Sequence, residues 1–95
     1  MEMILGDRRA TRRYPVRLQL HYRLLRGSRI LYEGRGTTNN ISRGGVEFET
    51  GRFLPSGLSI QMWIAWPVLM RGCEQMLLRV VGRTVRCDGD RAAVR

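Results

Sequence analysis

The sequence predicts an all-β fold: a small six-stranded antiparallel, split β-barrel with a flexible arginine-rich arm at its N-terminus. Three observations carry this. Apolar residues recur with period two along several segments, polar turn signals divide those segments at short intervals, and no stretch shows the 3.6-residue period of an amphipathic helix. The chain has 95 residues, 43% of them hydrophobic and 26% charged, a globular composition for one domain. A chain of this size buries only about 60% of its unfolded surface, so a site is expected on the surface or at one end.

Residues 1–13 read as the arm. Asp7-Arg8-Arg9-Ala10-Thr11-Arg12-Arg13 carries four arginines with no periodic apolar partner, so nothing there is expected to pack a core. Residues 14–95 form the barrel domain, and its break-off at Arg95 suggests a C-terminal truncation. From Pro15 the chain alternates strictly, Val16, Leu18, Leu20, Tyr22 and Leu24 against Arg17, Gln19, His21 and Arg23, which marks a half-buried strand. Arg26-Gly27-Ser28 turns the chain into a second strand at Ile30 and Tyr32, which is expected to loosen through Glu33-Gly34-Arg35-Gly36-Thr37-Thr38. Asn39 to Gly45 reads as a polar turn, and Val46-Glu47-Phe48-Glu49 as a short third strand. After Phe53-Leu54-Pro55-Ser56-Gly57 a fourth strand sets Leu58, Ile60, Met62 and Ile64 against Trp63, and Pro67 is expected to end it. Val68 to Glu74 is a loop or a hairpin extension, Gln75 to Cys87 a longer strand bending at Gly82, and Asp88-Gly89 a tight turn into Ala92-Ala93-Val94.

The charge narrows the partners. The net charge is +9, and all 17 basic residues are arginine. Guanidinium groups grip phosphate bidentately and stack on bases, so a phosphate-bearing partner is expected. Cys73, Cys87 and the lone His21 lack a zinc ligand set, and no enzymatic nucleophile and base stand out, so neither a metal nor catalysis is expected. No apolar run is long enough to span a membrane, and the thiols are expected to be reduced in a cytoplasmic protein. An arm folded back over a barrel end would meet the turn Asn40-Ile41-Ser42-Arg43-Gly44-Gly45. Arginines there supply phosphate clamps, Asn and Ser reach base edges, and glycines admit close approach, a combination that suits a guanine nucleotide with more than one phosphate.

At these residues the sequence resembles the PilZ domain family, receptors for the bacterial second messenger cyclic di-GMP. Arg9-Ala10-Thr11-Arg12-Arg13 fits the family's RxxxR, and Asn40-Ile41-Ser42-Arg43-Gly44-Gly45 fits its [D/N]xSxxG, in family order and about 30 residues apart. The likeness extends through Tyr14-Pro15-Val16, Gly45 to Phe48 and Gly82 to Val85. What the resemblance implies is a ligand-binding receptor or adaptor module whose arm orders on binding, with cyclic di-GMP and a downstream protein as partners. Carried over by position, Arg9 and Arg13 bind the guanine Hoogsteen edge and the phosphates, with Arg8 and Arg12 the competing register. Asn40, where the family more often has Asp, and Ser42 read the base, Gly45 is the motif glycine, and Arg43 is an additional phosphate contact. Arg8, directly before RxxxR, implies two cyclic di-GMP molecules per chain. Two other readings stand beside this one: a small-barrel nucleic-acid binder, favoured by charge and by Trp63, Trp66 and Tyr32 but not preferred, and a protein adaptor of the same family that has lost its ligand.

Overall fold

The computed structural model describes residues 2–4, 15–70 and 74–95. They form seven strands: β1 (Glu2–Ile4), β2 (Gln19–Arg26), β3 (Arg29–Ser42), β4 (Gly45–Glu49), β5 (Ser59–Met70), β6 (Glu74–Asp88) and β7 (Arg91–Val94). The order in the sheet is β1-β6-β5-β2-β3-β4-β7, and β7 also pairs with β6. The six strands β2 to β7 therefore pair antiparallel in a circuit that returns to its start, with no helix among the described residues. Strand β1 joins from outside, parallel to β6 with Met3 opposite Val80. The sequence left these first residues in the arm. A three-residue backbone pairing carries no periodic signal by which to find it.

The alternation in the sequence sets the core. Leu20, Tyr22 and Leu24 of β2, Ile60, Met62 and Ile64 of β5, Leu78 and Val80 of β6, Val46 and Phe48 of β4, and Ala92 and Val94 of β7 all point inward and are buried. Leu54 and Leu58 cover one end from the loop before β5. Buried apolar surface contributes about 25 cal/mol per Å², and this single cluster is where the domain gets it.

Several expected boundaries move. The second strand does not loosen after Tyr32: β3 runs unbroken for 14 residues, and Asn39 to Ser42 belong to it rather than to a turn. Gly34 and Gly36 are there because the strand is crowded. A Cβ at Gly34 would lie 2.8 Å from the Tyr22 hydroxyl, and one at Gly36 would run into the Glu49 carbonyl. Ile30 and Tyr32 stand exposed on the hairpin instead of joining the core. Pro67 does not end β5, which continues to Met70 with a bulge between Trp66 and Leu69, where the missing N–H is tolerated. The segment after it is the hairpin extension into β6. Near Gly82, β6 exchanges neighbours, pairing with β5 up to Arg83 and with β7 from Thr84.

Two buried threonines fasten the loops to this frame. Thr38 donates its hydroxyl to the Val16 carbonyl at 2.6 Å and accepts from the Leu18 N–H at 2.8 Å, while its own N–H donates to the Leu18 carbonyl at 2.9 Å. Thr84 repeats the device, donating to the Pro55 carbonyl at 2.7 Å and accepting from the Leu58 N–H at 3.1 Å. The first of these clamps decides where the segment leading from the arginines meets the sheet.

Candidate functional site

The motif Asn40 to Gly45 is built on the end of β3 and the start of β4. Asn40 pairs with Glu47, Ile41 with Val46 and Ser42 with Gly45, and the register slips between Thr38 and Asn40. The extra residue at Asn39 re-aims the strand, as a bulge does, so that Thr38 and Ile41 are both buried. Asn40 and Ser42, two apart on a strand, then share the opposite, outward face, both half-buried. Glu47 lies across from Asn40 and is also half-buried. Neither Asn40 nor Glu47 has a side-chain hydrogen bond or ion pair among the described residues, so an amide and a carboxylate stand side by side with their capacity unused.

Ser42 is committed differently. Its Oγ accepts the Gly44 N–H at 3.2 Å and lies 3.5 Å from the Gly45 carbonyl, so the hydroxyl holds the tight turn at Arg43-Gly44. One lone pair remains for a ligand, since a hydroxyl oxygen accepts twice. Gly45 has a packing reason of its own: a Cβ there would strike the Val94 carbonyl of β7, so no side chain fits where β4 meets β7. Arg43 is exposed in the turn.

Beside this face the entry segment is pinned. Arg17 Nη1 donates to Asn39 Oδ1 at 2.8 Å, and its other terminal nitrogen lies 3.7 Å from Glu49, which also faces Arg91 at 3.6 Å. Asn39 Nδ2 is buried and has no partner among the described residues. Sequence reasoning missed Arg17, Thr38 and Asn39. Arg17 reads as one more outward residue of an alternating strand, and nothing local marks a threonine whose partners lie 20 and 22 residues away. Arg8, Arg9, Arg12 and Arg13 lie outside the described residues.

The aromatic residues that suggested a base-stacking surface are already engaged. Trp63 stacks on His21 with ring centroids 5.3 Å apart, and the Arg23 guanidinium lies 5.4 Å from its ring. Arg52 sits 3.9 Å over Tyr32. An open depression of about 820 Å³ borders that ladder, lined by Gln19, His21, Arg35, Thr37, Trp63 and Leu77 among others, but not by Asn40, Ser42 or Gly45. The motif face itself is a sheet surface, which needs a second wall to enclose a small molecule.

Cys87 is half-buried, and burial pushes its thiol above the ordinary value; Cys73 lies outside the described residues. Among the described residues no helix is long and apolar enough to cross a membrane. No curated protein and no solved structure matches the chain. The model of the PilZ domain family matches residues 7–95, essentially its whole length, and the chain belongs to that family.

Proposed function

We propose that this protein is a cyclic di-GMP receptor module, in which Arg8, Arg9 and Arg13 hold the ligand against the outward face of Asn40 and Ser42. PilZ domains are binding and adaptor modules rather than enzymes. The observation that carries the reading is the Thr38 clamp. It fixes Val16 and Leu18 against β3 one bulge away from Asn40. Arg13 is two residues before Pro15, so chain geometry keeps its Cα within about 7 Å of Pro15. On this reading the two family motifs, far apart in sequence, act from one patch, with the arm as the second wall that the motif face lacks.

The residues fit the ligand's chemistry. Guanine offers N1–H and N2–H donors on one edge and O6 and N7 acceptors on the other. The Asn40 carbonyl accepts on the first edge, and Glu47 beside it brings the carboxylate that Asn40 lacks relative to the more usual Asp. Arginine serves the second edge and the phosphates. The ladder on Trp63 and the Arg52 guanidinium over Tyr32 weigh against the nucleic-acid reading, since each ring already has a stacking partner. The ligand-free adaptor is the second reading, favoured by the engagement of Ser42 in its own turn.

Calorimetry tests this. The chain is expected to bind cyclic di-GMP with low-micromolar affinity or better, about 8 to 9 kcal/mol, and GTP and GMP far more weakly. Two ligands per chain are expected, falling towards one in Arg8→Ala, while Arg13→Ala and Glu47→Gln each weaken binding at least tenfold with the fold intact. A chain that folds and binds no cyclic di-GMP is an adaptor. A loss in Arg12→Ala but not in Arg13→Ala shifts the arginine register by one.

A further inference from the structure

We propose that the end of the molecule formed by the β2–β3 hairpin tip and the loop between β4 and β5 docks on an anionic lipid bilayer. Two kinds of side chain meet there. Phe53 is 64% exposed, the most of any large apolar residue among the described ones, and Ile30 and Leu31 on the hairpin are exposed with it; the other exposed aliphatics, Leu77, Val81 and Val85, all belong to β6. Interleaved with Phe53, Ile30 and Leu31 are Arg26, Arg29 and Arg52, all exposed and none ion-paired among the described residues. Residues 24–32 and 51–57 contain no acidic residue. The hairpin's one carboxylate, Glu33, is taken by Arg23 at 2.8 Å.

The register makes the charge arrangement unfavourable for the isolated protein. Arg26 and Arg29 are cross-strand partners at the mouth of the Gly27-Ser28 turn, and like charges directly opposite one another destabilise a hairpin. A bound anion reverses the sign of that contribution. Arg52 is held over the Tyr32 ring at 3.9 Å, which ties the loop cation and Phe53 beside it to the hairpin's apolar residues. Apolar stems and rings below, with guanidinium groups above, is the arrangement by which arginine and aromatic residues sit in a bilayer interface.

The shape favours a bilayer over a protein partner. Residues 26–33 are exposed on both faces of the hairpin, so this end is a projection, and the open depression around Trp63 and His21 is lined by none of them and reaches the β4–β5 loop only at Thr50 and Gly51. A protein would have to bring its own cavity for Phe53 and Ile30, together with acidic groups at its rim. An anionic leaflet supplies apolar depth beneath negative headgroups in a single surface. The location is also separate from the ligand face: Arg29 and Ser42 are the two ends of β3, whose 14 residues rise by about 3.3 Å each. A molecule docked by the hairpin tip leaves the Asn40 face turned to water, so this inference does not depend on the ligand reading.

Vesicle co-sedimentation of the full chain tests it, using phosphatidylcholine vesicles with and without phosphatidylserine. Binding is expected to the anionic vesicles alone. Arg26→Gln, Arg29→Gln and Arg52→Gln should each weaken it about fivefold, equivalent to about 1 kcal/mol per arginine. Phe53→Ser and Ile30→Ser should each weaken it at least about tenfold by removing inserted apolar area. Arg35→Gln and Arg86→Gln remove exposed charges elsewhere and should leave binding nearly unchanged. All these side chains are exposed, so the variants should fold, which circular dichroism checks. The proposal is overturned by a failure to bind anionic vesicles, by equal losses in the Arg35 and Arg86 variants, by full binding of Phe53→Ser, or by a dimer in sedimentation that Phe53→Ser dissolves.

Discussion

Tyr22 sits at the centre of the core with its ring fully buried against Phe48, at 5.5 Å between centroids, and its hydroxyl must be satisfied there. It is, by Thr50 Oγ1 at 2.8 Å. Burial raises the phenol above the ordinary value of 10.0, the Thr50 hydrogen bond opposing part of the rise. The unfolded chain, with an unperturbed phenol, therefore gives up this proton first. Stability from Tyr22 is complete below pH 10.0 and declines as pH climbs through the raised folded value. Urea unfolding at a series of alkaline pH values should show this decline in the wild type and a flatter profile in Tyr22→Phe, which loses about 1 kcal/mol at neutral pH with the hydrogen bond. An identical alkaline decline in both would assign it to other groups. Gly45 makes a related point about what single residues reveal. The sequence marks it as a motif glycine facing a ligand or a turn, yet the Val94 carbonyl alone forbids a side chain there, and only the pairing of β4 with β7 brings that carbonyl near.

At the scale of elements, period two was legible wherever one face is buried and the other wet. Leu20 to Leu24, Val46 to Phe48 and Ile60 to Ile64 lie inward as their alternation predicts. What was not legible was length. Gly34 and Gly36 read as a loosening of β3, but they are the places where a long strand passes close under Tyr22 and Glu49, a tertiary fact with no local signature. Pro67 likewise reads as a stop and is a bulge residue. The site was half legible: Asn40 and Ser42 announce themselves by spacing, whereas the bulge that faces them outward and the Thr38 clamp beside them do not. That clamp is testable. Thr38→Val keeps the shape of a side chain buried to 0% exposure while leaving the Val16 carbonyl and the Leu18 N–H without their partner. A loss of about 1 to 3 kcal/mol in urea unfolding is expected. On the receptor reading, cyclic di-GMP affinity should fall as well, because the arm then starts from an unpinned base. Unchanged affinity in a destabilised Thr38→Val protein would separate the clamp from the site.

For the whole molecule the decisive feature is how the arginine segment is attached. The sequence presents it as an arm free at one end. The structure ties chain on both sides of it: Glu2–Ile4 pair with Arg79 to Val81 of β6, and Val16 and Leu18 are held by Thr38 of β3. Residues 5–14 are thus the connection between two anchored points. On the receptor reading, a segment tied at both ends has fewer conformations to lose on binding than one tied at a single end, and cutting that loss raises affinity without a new contact. The sheet circuit does not need β1, since β2 to β7 close among themselves through β6 and β7. Deleting residues 2–4 should therefore leave the urea midpoint nearly unchanged while, on the receptor reading, weakening cyclic di-GMP binding by several fold, with a less favourable binding entropy in calorimetry. If the deletion lowers stability and affinity in proportion, β1 is part of the folded frame. If affinity does not move at all, the Thr38 side alone organises the arginines.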